Sequence, residues 1–479
     1  MKVSTSLSRR GPQNAAPALG GRAVVLGGSL AGLLSAVVLA RHFEQVVIIE
    51  RDDVAARSAG ARRGVPQGRH SHGLLVGGSN AMERLLPGLT GELTARGAVM
   101  GDVTDRLRWW IGGIEQTRFA SGLNGLLVSR PGLEDGVRRR VLRLPNVVLI
   151  GGYDVTGLVV SSDRRRVLGA RVAVGRSGGD AGAAATDVIE SGSVLGDLVV
   201  DATGRGSRAA TWLTELGYPP VNESLVEAGM TYVTRRFRQR PGVLDELDGD
   251  IVGTAPDSYR SGVALRQEDG TWTVTIVGGF GERPPSELAE FQAYTRSLPT
   301  SGLAEVATNC EPVGEPLTHR YPNSRWLRWD KVADRPEQFL VIGDAVCSFN
   351  PVYGQGMSSA ALQVEALAAA IAGPSEGLPE RAAKGFARVI ATPWAVATGS
   401  DRRHVTQPLK PWPERVLDRY QDRLLAVARQ DLQVALAFHR VLNLLAAPPS
   451  LLAPRIAVRV LRPARRGSTT SASRDRVAA

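Results

Sequence analysis

Three stretches of this chain combine glycine with an acidic or amide residue in spacings that suit a nucleotide. The first is Gly27-Gly28-Ser29-Leu30-Ala31-Gly32, set between an apolar run and a helix-like run, with Glu50 closing the apolar run that follows. A glycine turn there lets backbone approach a pyrophosphate, the helix N-terminus stabilises its charge, and an acid about 20 positions on accepts hydrogen bonds from a ribose hydroxyl. Ser29 stands where the usual pattern has its second glycine, and a hydroxymethyl is small enough to be tolerated. The second stretch, DLVVDATGRGSR at 197–208, sets Asp201, Thr203 and Gly204 at a strand end. The third, FLVIGDAVCSFNPVYGQGM at 339–357, sets Gly343 and Asp344 at another strand end, with Pro351, Gly354, Gln355, Gly356 and Met357 leading into a helix. The first stretch alone does not decide which dinucleotide is bound.

Other side chains are candidates for the same ligand. Arg130 ends the strand-like run LNGLLVSR at 123–130, and Arg51 and Arg69 stand near the first turn, so all three could meet phosphate. His70 and His72 form an HxH pair in the loop 61–75, but no third ligand stands nearby, which favours a structural or ligand-adjacent role over a metal site. Cys310 and Cys347 lack ligand or disulfide spacing, and a reducing cytoplasm is the expected home. No nucleophile–base triad is evident.

The elements that must hold these residues follow from pattern. Residues 23–40 carry no charge over 18 positions, yet the glycine turn inside them and the VVIIE strand after them fit a βαβ unit better than a membrane span or a signal segment behind Arg9-Arg10. Short β-runs between about 145 and 200 form a meander. Period-two alternation in TYVTRRF, GVALRQ and TWTVTIVGG predicts an antiparallel sheet with one covered face, with a hairpin at Glu268-Asp269-Gly270. Helices dominate from about 356 to 446, and Leu424, Ala428, Leu432, Ala435, Phe438, Leu442 and Leu445 predict one apolar-faced C-terminal helix. The expected division is a disordered leader at 1–21, a split nucleotide-binding domain at 22–214 and 331–375, a substrate-binding β-sheet domain at 215–330, a helical region at 376–454 and a basic tail at 455–479. Of the net charge of +11, residues 1–22 hold +4 and residues 455–479 hold +6, so the body is near neutral and no nucleic-acid groove is expected. The tails leave an acidic partner or membrane surface open.

Together the DATG strand end, the GD segment and its NPxxGxGM continuation resemble the group A flavoprotein monooxygenases of the para-hydroxybenzoate hydroxylase type over roughly 22–370. The resemblance implies an α/β fold, a Rossmann-like FAD-binding domain with an inserted antiparallel sheet and C-terminal helices. It implies that Glu50 holds the adenosine ribose, Asp344 the ribityl chain, and Gly354 to Met357 the flavin pyrimidine edge, with Pro351 and Gly354 near the isoalloxazine. It further implies FAD reduced by NAD(P)H, reaction with O2 to a flavin C4a-hydroperoxide, and transfer of one oxygen atom. Within that family, GVPQGRHSHGLL and CSFNPVYGQGM are similar to the polyether-ionophore polyene epoxidases of the monensin and lasalocid type, which implies a hydrophobic polyene or aromatic polyketide substrate. DATG departs from the Asp-Gly pair typical of aromatic hydroxylases, leaving open whether the nicotinamide docks directly or a separate flavin reductase supplies electrons. An aromatic hydroxylase and a prenyl-type FAD reductase are the alternatives. Flavin halogenases carry a WxWxIP segment, which RWLRWDK at 325–331 does not match. The lack of an evident base fits epoxidation slightly better.

Overall fold

The computed structural model describes residues 19–53, 62, 66–175, 185, 187–255, 258–279, 281–404 and 412–462. Most of the leader, the end of the basic tail and part of the 61–75 loop lie outside the described residues.

The uncharged stretch resolves into strand Gly20–Leu26, a turn, and helix Leu30–Leu39. The strand begins two residues before the expected boundary because the Asp197 carboxylate accepts from the Gly21 and Arg22 amides at 2.7 and 3.0 Å. It sits centrally in a five-stranded parallel sheet ordered Phe339–Val341, Leu198–Asp201, Gly20–Leu26, Phe43–Glu50 and Val147–Gly151. Ala23 to Leu26 and Val46 to Ile49 are buried, as expected of strands covered on both faces. Among the described residues, no helix is long and apolar enough to cross a membrane.

Of the expected 145–200 meander, Val147–Gly151 joins the parallel sheet instead, pairing with Phe43–Glu50, and Tyr153–Val160, Val167–Val174 and Ser193–Leu195 form a three-stranded antiparallel sheet. The alternating region forms a larger sheet of eight strands, and the hairpin between Ser261–Arg266 and Thr271–Gly278 turns at Gly270, whose φ is +73°. Trp272, Val274 and Ile276 are fully buried against Phe291 and the other side chains of helices Leu288–Arg296 and Gly302–Asn309. Thr275 and Val277 face the other way, into a cavity. This sheet also recruits strands from outside 215–330: Leu107–Ile111 pairs parallel with Gly249–Val252, and Cys347–Ser348 extends the opposite edge. A parallel pairing between segments so far apart leaves no local pattern to read.

The single C-terminal helix expected from its apolar face is two helices, Trp412–Ala428 and Leu432–Leu442. Asp431 causes the break, its carboxylate accepting from the Gln433 and Val434 amides at 3.0 and 3.3 Å, and Leu432 is 48% exposed at the new start. Leu424, Ala428, Val434 and Ala435 still share a small core with Ile456 and Val460 of helix Pro454–Leu461. This cap meets the main body where the Gly77 amide donates to the Asn443 carbonyl at 2.9 Å, at a contact so close that a Cβ on Gly77 would lie 2.7 Å from the Leu444 carbonyl oxygen.

Candidate functional site

Between the carboxyl ends of the parallel strands and the inner face of the eight-stranded sheet lies a cavity of about 700 Å³, to which all three glycine-bearing stretches contribute. Gly27 has a φ of +100°, and the Ala202 carbonyl leaves no room for a Cβ there. On Gly32 a Cβ would lie 1.9 Å from the Gly27 carbonyl oxygen, so only glycine lets the helix leave the strand this tightly. The Gly28 amide donates to Glu50 Oε2 at 2.8 Å, and Glu50 Oε1 accepts from the Asp52 amide at 3.0 Å. The acid at the end of the second strand is therefore fixed at the lip of the turn.

Ser29 does more than fit. It starts helix Leu30–Leu39 without capping it, and its hydroxyl instead donates to Glu134 Oε2 at 2.7 Å and accepts from Arg130 Nη2 at 2.8 Å. Glu134 is 4% exposed and also pairs with Arg62 and with Arg138 at 2.7 Å. Burial alone would raise its pKa, but Arg130, Arg62, the Ser29 hydroxyl and Arg138 together hold it below the usual carboxyl range. Arg62 in turn reaches Glu50 at 3.1 Å, and although burial opposes its charge, Glu134 and Glu50 outweigh it and its pKa rises. Arg62, Glu134 and Arg138 escaped the sequence reading, and the only signal was the i, i+4 spacing of Arg130, Glu134 and Arg138. That spacing places all three on one face of helix Arg130–Val141.

In the second stretch Asp201 is fully buried and accepts from the Thr203 amide at 2.8 Å, the Thr203 hydroxyl at 2.5 Å and the Ser207 hydroxyl at 2.6 Å. It shapes the turn that brings Gly204, with φ +78°, to the cavity wall, while its own side chain points away from the lumen. In the third stretch Gly343 has a φ of +71°, and its amide donates to Gln363 Oε1 at 2.9 Å. Asp344 lines the cavity; burial raises its pKa while Arg130 and Arg205 pull it down. Gly354, with φ +62°, ends a short turn at Pro351–Tyr353 and hands the chain to Gln355 and helix Gly356–Ile371. Gln355 is 1% exposed, and both polar atoms of its amide are without a hydrogen-bond partner at the cavity. Leu30, Ala31, Arg51, Pro351, Gly356 and Met357 also line the cavity, whereas Gly28, Gly32 and Gly343 stand behind it and Arg69 is exposed outside the lining.

Sequence distance hid a second cluster. The rings of His70 and His319 lie 5.6 Å apart, Tyr232 is 6.3 Å from His319, and His70 Nδ1 sits 2.7 Å from the Thr234 hydroxyl. His72 Nδ1 donates to the His70 carbonyl at 2.9 Å. Burial, with the neighbouring His319 for one and Arg130 for the other, lowers both His70 and His72 to about 4, so both are neutral at pH 7. Among the described residues no group of three potential ligands could hold a metal ion. Alongside the histidines, on the sheet that carries His319, Trp109, Ile251, Val263, Leu265 and Val277 form an apolar wall.

Such a site can hold a long nucleotide at one end and present an apolar, partly hydrogen-bonding chamber at the other. FAD fits the residues present: Glu50 for a ribose, the Ser29 turn with Arg130 for a diphosphate, and the unpartnered Gln355 amide with the N-terminus of a 16-residue helix for the pyrimidine edge. No family model matches the chain. It is 32% identical over 436 residues to Protein Rv3254 of Mycobacterium tuberculosis (strain ATCC 25618 / H37Rv), spanning 88% of this chain and 89% of that protein. Among solved structures it is similar to a flavoprotein/dehydrogenase from Cytophaga hutchinsonii, with TM-score 0.63, 14% identity, and coverage of 92% of this chain and 96% of that one. It is also similar to p-nitrophenol 4-monooxygenase PnpA from Pseudomonas putida DLL-E4, with TM-score 0.60, 17% identity, and coverage of 88% and 98%. These likenesses establish the α/β fold with its inserted sheet.

Proposed function

Because the chain belongs to the same family as Protein Rv3254 of Mycobacterium tuberculosis, on the fold that PnpA shares, we propose that it is an FAD-dependent monooxygenase. The observation that carries this reading is the convergence of three remote glycine turns on one cavity, with the buried Gln355 amide left unpartnered at its wall. Bound FAD, reduced by NAD(P)H directly or through a flavin reductase, would supply oxygen activated from O2. The chain's own residues would do the rest. Glu50 would orient the adenosine ribose, Asp344 would accept from the ribityl hydroxyls, and the helix that starts at Gly356 would stabilise negative charge at the pyrimidine edge. The eight-stranded sheet would exclude water, with the C-terminal cap packed behind its Trp109.

For the substrate, the wall of Trp109, Ile251, Val263, Leu265 and Val277 supports a hydrophobic body, and alkene epoxidation of a polyene-type polyketide is the first reading. Epoxidation requires no proton to be taken from the substrate. A second reading, hydroxylation of an aromatic ring, is favoured by His70 and His319, which supply the neutral acceptors that their separation in the sequence conceals. Purified protein incubated with FAD, NADPH, a reductase and ¹⁸O2 should add one labelled oxygen to a polyene or to a phenol, and the accepted substrate decides between the readings. A product formed without O2 would point to a prenyl-type reductase instead. Asp344→Ala should weaken FAD binding about tenfold, as expected for losing hydrogen bonds to a buried carboxyl group. A variant with undiminished flavin content refutes the ribityl assignment.

A further inference from the structure

Behind the turn that precedes Gly354 lies a carboxylate from another part of the fold. Asp401 belongs to helix Leu378–His404, which docks on the sheet through the ring contact of Trp394 with Trp326 at 5.5 Å. The Asp401 residue is 1% exposed. Its Oδ1 accepts from Asn350 Nδ2 at 3.0 Å and from the Tyr353 hydroxyl at 2.7 Å, while its Oδ2 is buried with no hydrogen-bond partner. Asn350, itself fully buried, accepts at Oδ1 from the Tyr232 hydroxyl and from the Val352 amide, and its backbone N–H donates to the Ser324 hydroxyl at 3.0 Å. One carboxylate oxygen thus fastens both ends of the Asn350–Tyr353 turn. Tyr232, Asn350 and Tyr353 all reach the cavity wall.

We propose that Asp401 is a positioning residue whose ionised carboxylate holds the Asn350–Gly354 turn, and through it Gln355 and the Gly356 helix start, in the geometry that receives the flavin. The inference rests on the proposed FAD site. A single charged oxygen accepting two hydrogen bonds holds its donors more tightly than a neutral one does. Side-chain hydrogen bonds around the turn run to Asp401, to Tyr232 and to Ser324, so losing the charge loosens its only ionic anchor among the described residues. The titratable groups facing Asp401 are the hydroxyl of Tyr353 and, through Asn350, that of Tyr232, beyond which lies Tyr321; burial raises the pKa of both Tyr232 and Tyr321. Among the described residues no cation pairs with Asp401. Burial raises its own carboxyl to about 6, against the pull of Tyr353 and Asn350, so its charge changes within the working range of an FAD titration.

FAD binding to the full-length protein, followed by quenching of flavin fluorescence between pH 5 and pH 8, tests this. Wild-type affinity should tighten roughly three- to tenfold as the pH rises through 6. Asp401→Asn keeps the shape and one acceptor oxygen but removes the charge, and should flatten that segment of the profile. Asp401→Ala should bind FAD roughly tenfold more weakly at pH 8. If the alanine variant does not fold, the asparagine profile alone decides. A wild-type protein that binds FAD with an Asp401→Asn profile superimposed on its own overturns the positioning role and leaves the FAD reading standing. A wild-type protein that binds no FAD overturns both.

Discussion

Replacing Glu134 by glutamine tests the charge balance at the glycine turn. In the structure Arg62, Arg130 and Arg138 face Glu50, Asp52 and Glu134 in a compact buried group, three cations against three anions. Glutamine preserves the volume and still accepts from Ser29, but it leaves one guanidinium charge uncompensated away from water. Breaking one partner of a buried ion pair costs about 3–5 kcal/mol, and the retained acceptor places this change near the lower end, about 3 kcal/mol. For a cooperative unit of ~200 residues that lowers the melting temperature by roughly 6–12 °C. Because Glu134 titrates below its ordinary value, its contribution is present above about 4.5 and is lost as the pH falls through the folded-state pKa. The gap between wild type and variant should therefore be full at pH 7 and shrink in acid. The FAD diphosphate would bring the missing negative charge, so added FAD should raise the melting temperature of Glu134→Gln more than that of wild type. Differential scanning fluorimetry across pH, with and without FAD, measures all of this. Equal melting at pH 7, or a gap that FAD leaves untouched, refutes the view that diphosphate and Glu134 answer to the same arginines.

Two further outcomes follow from the same geometry. Gly32→Ala should prevent folding of the parallel-sheet half, since its Cβ would lie 1.9 Å from the Gly27 carbonyl oxygen; soluble, folded protein would show that the turn can open. Asp401→Asn should stabilise the protein at pH 8 by up to about 3 kcal/mol and hardly at pH 4, because a carboxyl raised from 3.8 to about 6 costs stability as the pH climbs through that interval; melting curves at the two pH values check the sign.

The parallel-sheet half was legible in the sequence wherever structure is local. A glycine turn, the acid at the end of the next strand and the helix start after Gly354 are fixed by neighbours within a few residues, and Glu50, Gly27 and Gly354 stand where such rules put them. Ser29 was legible as a tolerated substitution but not as a hydrogen-bonding partner, because that role depends on Glu134, 105 residues away. Arg62 likewise looks like one more solvated arginine until two carboxylates close around it. His70 and His319 meet only through packing between a loop and a strand register set by long-range pairing with Glu223–Arg238. The C-terminal break was misread because the apolar spacing runs through Arg429-Gln430-Asp431 unbroken, while one aspartate cap was enough to end the periodic helix.

The join between Gly77 and Asn443 bears on how the molecule comes into being. Trp109, which walls the chamber, lies 5.8 Å from the ring of His439 on a helix near the end of the chain. The last of the glycine turns, ending at Gly354, is synthesised before helix Leu432–Leu442, the segment that packs behind Trp109. That segment brings its own small hydrophobic nucleus and arrives at a seat cut to the width of a glycine. Seating that segment therefore follows the making of the glycine turns, and a polypeptide cut short before Asn443 would lack the packing behind Trp109.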